Sequence, residues 1–252
     1  MNSIIVTNNS IISESKNVII KKNKITFLDS GNYLINYDKS NKVNLIFEIN
    51  SDINVNLSEI SFDNNLSINN SYVINRGYLN VNKFYSNKSV DEKIKIDLNS
   101  MNARIDYNFS NICLINENYL IDINHNASKT ISNISNKSVA MDNSRLKFVI
   151  NSNVSKKMSD SVLDQSTKII TFGDADASIS PNMFIDTFDV VAKHGSVIGT
   201  VDDETMFYLM SRGITYNEAL KLVIKGYLLS NINIDFNIRA KIIKIIDMYW
   251  RW

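Results

Sequence analysis

Apolar and polar residues alternate along this chain, and the alternation recurs for most of its length. Val43, Leu45, Phe47 and Ile49 are separated by Asn44, Ile46 and Glu48. Ile53, Val55 and Leu57 alternate with Asn54, Asn56 and Ser58, and Ile94, Ile96 and Leu98 with Lys95 and Asp97. Ile105, Tyr107 and Phe109 follow the same rule, then Ile121 and Ile123 around Asp122, then Leu146, Phe148 and Ile150. A side-chain period of two belongs to a strand with one buried face. From about residue 18 to about residue 200 such runs return roughly every 10–15 residues, and no helical period intervenes. Many short strands at near-regular spacing predict a sandwich, a barrel or a solenoid.

The turns discriminate among these. Tight hairpins favour Asn-Gly or Asp-Gly, and the chain contains neither. It has 7 Gly and 1 Pro but 38 Asn, of which 31 precede residue 151, so codon drift alone does not explain their placement. Asp63-Asn64-Asn65, Asn69-Asn70-Ser71 and Asn133-Ile134-Ser135-Asn136 read as turns. Asn tolerates left-handed backbone, and stacked coils can align its side chains in ladders. A right-handed β-solenoid fits this placement best, and a β-sandwich is the alternative.

After residue 200 the period changes. Asp202-Asp203-Glu204 opens a helical run that stops at Gly213, acidic at its N-terminus and with glycine after its C-terminus. Thr215 and Glu218 form a capping box for a helix through Ala219, Leu222, Val223 and Tyr227. Ile238, Ile242, Ile245, Tyr249 and Trp252 mark a third, amphipathic helix. The expected division is a β-helix core over residues 1–200 and a helical domain over residues 201–252.

The formal net charge of +1 gives no electrostatic footprint for nucleic acid. No run of 18 apolar residues predicts a transmembrane helix, the first residues lack a signal-peptide pattern, and a cytoplasmic protein is the expectation. One cysteine, Cys113, excludes an intrachain disulfide and a multi-cysteine metal site within one chain. There is no glycine-rich phosphate loop and no His-Glu-x-x-His, so no catalytic residue is assigned. Asp174/Asp176 reads as a turn and Asp202/Asp203 as helix capping. Cys113, in an apolar run, reads as a small buried hydrophobe. His125 reads as a structural hydrogen-bonding residue. His194, just before the strand-to-helix junction, has by composition alone the same structural reading.

One stretch resembles a known family. Asp189-Val190-x-x-x-His194-Gly195-Ser196-x-Ile198-Gly199-x-Val201-Asp202-Asp203-Glu204-x-x-Phe207-Tyr208-Leu209-x-Ser211-Arg212-Gly213-Ile214 is similar to the C-terminal signature of the SufB/SufD family, the scaffold subunits of SUF iron–sulfur cluster assembly. His125-Asn126-Ala127-Ser128-Lys129-Thr130, Ser144-Arg145 with Phe148, and Lys156-Lys157 resemble its central motif. The resemblance is dense over residues 119–230.

It implies a right-handed parallel β-helix followed by a C-terminal helical domain, which agrees with the change of period. It also implies a non-enzymatic scaffold that pairs with a second scaffold subunit through the β-helix and docks the ATPase subunit SufC through its helices. Phe207, Tyr208, Arg212, Gly213, Ile214 and Glu218 are the expected partner-binding residues. The strand before Pro181 carries no cysteine, and Gly195 stands where SufB types have Glu, so the chain resembles SufD. His194 then matches the SufD histidine facing the SufB cysteine, a candidate shared ligand of iron or a cluster. No cofactor is expected to stay bound to the chain alone; the cluster would form transiently in the complex. Two departures stand out: Ala192 lies where many SufD sequences have cysteine, and the family's N-terminal helical region looks missing. A self-paired scaffold and an unrelated β-solenoid binding protein, surface-binding or carbohydrate-active, are the alternatives.

Overall fold

The structure is a computed structural model, and it describes residues 2–7, 10–13, 15–37, 40–62 and 65–250. Asp63, Asn64 and Trp252 lie outside the described residues. In chain order, β1 (Asn2–Thr7), β2 (Ser10–Ser13), β3 (Val18–Lys21) and β4 (Lys24–Phe27) come first. They are followed by β5 (Gly31–Tyr37), β6 (Lys42–Val43), β7 (Ile46–Ile49), β8 (Asn54–Phe62) and β9 (Asn65–Ile74). Next come β10 (Tyr78–Ser86), β11 (Ser89–Leu98), β12 (Arg104–Cys113), β13 (Asn116–His125) and β14 (Ile131–Ala140). The last strands are β15 (Arg145–Val154), β16 (Ser161–Thr171), β17 (Asp176–Ile185) and β18 (Val190–Gly199). The helices α1 (Asp203–Ser211), α2 (Tyr216–Leu229) and α3 (Phe236–Tyr249) close the order.

The strands form a parallel β-solenoid of about seven turns. One sheet runs β18-β16-β14-β12-β10-β8-β5-β1-β2 and the facing sheet β17-β15-β13-β11-β9-β7-β4-β3. From β8 to β18 the chain alternates between the sheets, so each strand stacks on the one from the previous coil in parallel register. A coil takes 24 residues at Asn32–Asn56 and 31 at Asn136–Thr167. The strands keep their register, so the extra residues sit at the corners. Asn102, Lys129 and Asp160 stack there with φ of 66°, 59° and 56°.

Period two becomes an inside and an outside. Inward residues fill the lumen, with Phe27, Phe47 and Tyr72 stacked along one wall and Tyr119 on Phe148 farther along. Offset and edge-on aromatic pairs suit such a column. Outward residues include asparagine ladders, in which each amide donates to the one a coil below: Asn108 to Asn80 to Asn56 to Asn32, and Asn126 to Asn99 to Asn75 to Asn50. This corrects two of the expected turns. Asn69, Asn70 and Ser71 lie within β9, and residues 133–136 within β14. Asn133 donates to Asp106 on the outer face, while Asn70 points inward and donates to Tyr37 Oη.

The alternation breaks in β8, β10, β12 and β14, whose later residues are buried on both faces. The helices cause this by lying on that sheet. Ile60, Phe84, Ile112 and Val139 face outward and pack with Leu220, Ile224, Leu228, Ile238, Ile242, Ile246 and Trp250. The buried face of α2 therefore runs through Leu220, Ile224 and Leu228, and Leu222 is half exposed. In α3 the stripe is Ile238, Ile242 and Ile246, with Ile245 only partly buried.

Candidate functional site

The last rung is built like the others, and among the described residues nothing covers it. β17 and β18 are ten residues each and form the terminal edges of the two sheets. Their free edges present backbone N–H and C=O groups that invite another strand. β18 is exposed almost throughout. Phe188 is fully exposed, and Phe184, Val191, Val197 and Ile198 are about half exposed. Register places Ile179, Pro181 and Met183 of β17 in the lumen-facing row, above buried Phe148, Ile150 and Ser152.

His194 lies in the middle of β18. It pairs with Gln165, whose side chain is buried in the lumen and donates to Ser152 Oγ at 2.7 Å and to the carbonyl of Asn182 at 3.3 Å. Directly paired parallel residues point to the same side of a sheet, so His194 stands on the lumen side at the open mouth. Ala192, Ser196 and Ile198 share that side. His194 brings a single imidazole to an exposed edge. Among the described residues no group of three or more His, Cys, Asp or Glu side chains could hold a metal ion. A metal held at His194 would need its remaining ligands from another chain.

The other expected binding residues lie on and after α1. Asp202 caps α1, its carboxylate accepting from the Thr205 amide at 2.8 Å. Only Met206 of α1 is buried, while Phe207 is 76% and Tyr208 57% exposed. The Arg212 guanidinium lies 5.3 Å from the centre of the Tyr208 ring, a cation–π contact at the helix end. Gly213 follows at φ 86° and donates to Met210 O, which ends the helix as glycine does after a C-cap. Ile214 packs against the helical core, and Glu218 completes the capping box with Thr215. So Tyr208 and Arg212 form one exposed pair and Phe207 is exposed next to it in sequence, whereas Ile214 and Glu218 shape the following turn.

His125 and Cys113 are structural. His125 is buried between Thr130 Oγ1 at 2.7 Å and Ser132 Oγ at 2.9 Å, and burial pushes its pKa down to about 4. Cys113 faces the lumen with its thiol on the Arg145 carbonyl, and burial raises its pKa well above the ordinary thiol value.

The lumen also holds a buried polar cluster that sequence reasoning missed. Lys83 contacts Glu92 at 2.6 Å and Glu59 at 3.9 Å, beside the rings of Tyr85, Tyr107 and Phe109. Tyr37 and Tyr72 both donate to Glu59. Among the described residues no cation contacts Glu117: Tyr119 and Asn111 donate to it, and burial pushes its pKa up to about 8. The signal was present, since Glu92 lies in phase with Val90, Ile94 and Ile96, and Lys83 with Val81 and Tyr85.

Comparison with known proteins gives the family. The family described as SUF system FeS cluster assembly, SufBD core domain, matches residues 30–227. The iron-sulfur cluster assembly protein SufD of Bacillus subtilis is 38% identical over 71 residues, 28% of this chain and 16% of that protein. An iron-sulfur cluster assembly SufBD family protein of Mycobacterium tuberculosis is 45% identical over 60 residues, 23% of this chain and 15% of its own. SufD of Escherichia coli is 38% identical over 53 residues, 21% of this chain and 12% of that protein. The similar stretches thus span no more than 16% of these relatives' length.

Proposed function

The chain belongs to the SUF system SufBD core-domain family, and from that premise we propose that it is a SufD-like scaffold subunit without a reaction of its own. The observation that carries this reading is the open end of the solenoid, where two ten-residue edges, a half-exposed apolar rim and His194 coincide. A SufB-type subunit adds its strands to β17 and β18 and covers the mouth. The iron–sulfur cluster is the cargo, formed transiently where the partner's ligands meet His194. Neutral imidazole suits iron, and a single ligand suits a shared site. A SufC-type ATPase docks on the helices through Phe207, Tyr208 and Arg212, whose exposed aromatic surface is of the kind enriched at interfaces. The work of such a subunit belongs in the cytoplasm.

Co-purification of the full chain with a SufB-type subunit and a SufC-type ATPase tests this. Ile198→Lys puts a charge on the mouth and should abolish scaffold pairing while the ATPase still binds. A chain ending at residue 200 should lose the ATPase. His194→Ala should leave the complex intact and lower its iron content. Pairing that survives Ile198→Lys, ATPase binding that survives the truncation, or unchanged iron in His194→Ala each sinks the corresponding part. A dimer of this chain alone that excludes the SufB-type subunit would replace hetero-pairing with self-pairing.

A further inference from the structure

The helices meet the solenoid in two chemically different ways. Along most of α2 and α3 the contact is an apolar seam, joined at the end of α3 by one hydrogen bond between Ser86 Oγ of β10 and Tyr249 Oη at 3.0 Å; apolar burial is non-directional, so such a seam lets packed surfaces slide. At the joint between α2 and α3, where Ile232 also enters the apolar core, a cluster of directional polar bonds is added. Asn231 Nδ2 donates to Phe109 O on β12 at 2.8 Å and to Ser135 O on β14 at 3.0 Å, and its Oδ1 accepts from Ser135 Oγ at 2.6 Å. Both amide hydrogens are thereby committed to the backbones of two different coils. Around it, Ser110 Oγ on β12 donates to Leu228 O at 2.9 Å, and Lys137 Nζ on β14 to Ser230 Oγ at 2.9 Å. The Asn233 amide donates to Asn82 Oδ1 on β10 at 2.8 Å, and Tyr227 Oη to Lys168 O on β16 at 2.6 Å.

These bonds leave a seven-residue stretch, residues 227–233, and land on β10, β12, β14 and β16. The four strands are consecutive neighbours, and the next one is β18, the open edge. Asn82 and Ser110 are outward-facing yet buried, because the joint sits on them. Hydrogen bonds fix both distance and angle, so a shift of α2 cannot be absorbed here by sliding.

We propose that the α2–α3 joint, centred on Asn231, is a polar latch that transmits displacement of the helices across four coils to the open end. This rests on the reading that an ATPase binds the helices and a scaffold partner the mouth. Asn231 is then a positioning residue. Asp at this place would set an anionic oxygen against the two strand carbonyls, and Ala would leave them without its donor.

Amide hydrogen exchange on the full chain, alone and in complex with a SufC-type ATPase and a SufB-type subunit, tests the latch. In the wild-type complex ATP should change exchange in β17 and β18. In Asn231→Ala, ATPase affinity should hold within about twofold while that ATP-dependent change disappears. In the chain alone, residues 227–233 should exchange about tenfold faster in the variant, as expected when local opening loses several bonds. An undiminished ATP response at β17 and β18 in Asn231→Ala, or no ATP response there in the wild-type complex, overturns the proposal. If Asn231→Ala does not fold, Ser110→Ala, which removes only the bond to Leu228, must weaken the response or the latch fails. A wild-type chain that binds no ATPase sinks the functional reading instead. The latch is then judged on the chain alone, where equal exchange of residues 227–233 in wild type and Asn231→Ala refutes it.

Discussion

The two ends of the solenoid are finished differently. At the first end the chain folds back on itself: β2 pairs antiparallel with β1, and β3 with β4, each over four residue pairs. The outermost strands there are only four residues long, and Ile4 and Ile25 beneath them are fully buried. At the other end two parallel strands of ten residues are the outermost, and their lumen-facing side chains meet solvent. Stacked-coil proteins need polar terminal caps, and long apolar edges are otherwise sites of association. The difference teaches that the chain shortens and folds back its edges at one end and leaves two long parallel edges at the other.

The sharpest way to break this comparison is the same truncation at both ends. Ile4→Ala should cost about 2–4 kcal/mol, the usual price of a core methyl cluster. Ile198→Ala should stay within about 0.5 kcal/mol in the isolated chain. Urea unfolding measures both, and equal losses would mean that the mouth is already covered.

Between the ends, Glu117 makes the lumen respond to pH. Its carboxyl holds a proton up to about 8, against an ordinary 4.5, so over that range the unfolded chain releases a proton that the folded chain keeps. Stability from this group is therefore full below about 4.5 and is lost as pH rises through 8. His125, held down at about 4 from 6.5, acts oppositely and only as pH falls below 6.5. From pH 6.5 to 8 only Glu117 of the two contributes, and its share of the loss should be about 2 kcal/mol. Glu117→Gln should flatten that slope in thermal melts, and an equal slope in wild type and variant would refute the assignment.

The smallest effect compares ladder positions. Asn80 donates to Asn56 and accepts from Asn108, whereas the side chain of Asn182, on the last rung, donates to Asn151. Asn80→Ala should cost about 1 kcal/mol and Asn182→Ala about half of that, with exposed amide bonds near the low end of the scale. Urea unfolding measures both, and a partner that extended the ladder past Asn182 would give it the same two bonds as Asn80 and close the gap.

The strands, the lumen face and the helix caps were legible in the sequence because each is a local pattern. Val55 and Leu57 are inward whichever strand lies next to them, and Thr215 with Glu218 caps a helix wherever it docks. What pairs with what was not legible. Asn69–Ser71 and Asn133–Asn136 resemble turns until a coil of 24 to 31 residues sets them beside Asn, Asp and Tyr partners. Leu222 and Leu220 differ only in which face meets Phe84 and Ile112, a tertiary fact. At the site, His194 was found through the family signature. Its position on the lumen side needed the register with Gln165, and the latch at Asn231 joins residues about 100 or more apart in sequence.

The lengthening of the coils separates two kinds of inherited change. A residue added at a corner, next to Lys129 or Asp160, enlarges one loop and leaves every strand facing as before. A residue added within β12 or β14 turns lumen side chains outward and outer ones inward. Insertions and deletions among descendants of this sequence should therefore gather at the corners, and in growing numbers toward the later coils, where the extra length is already found.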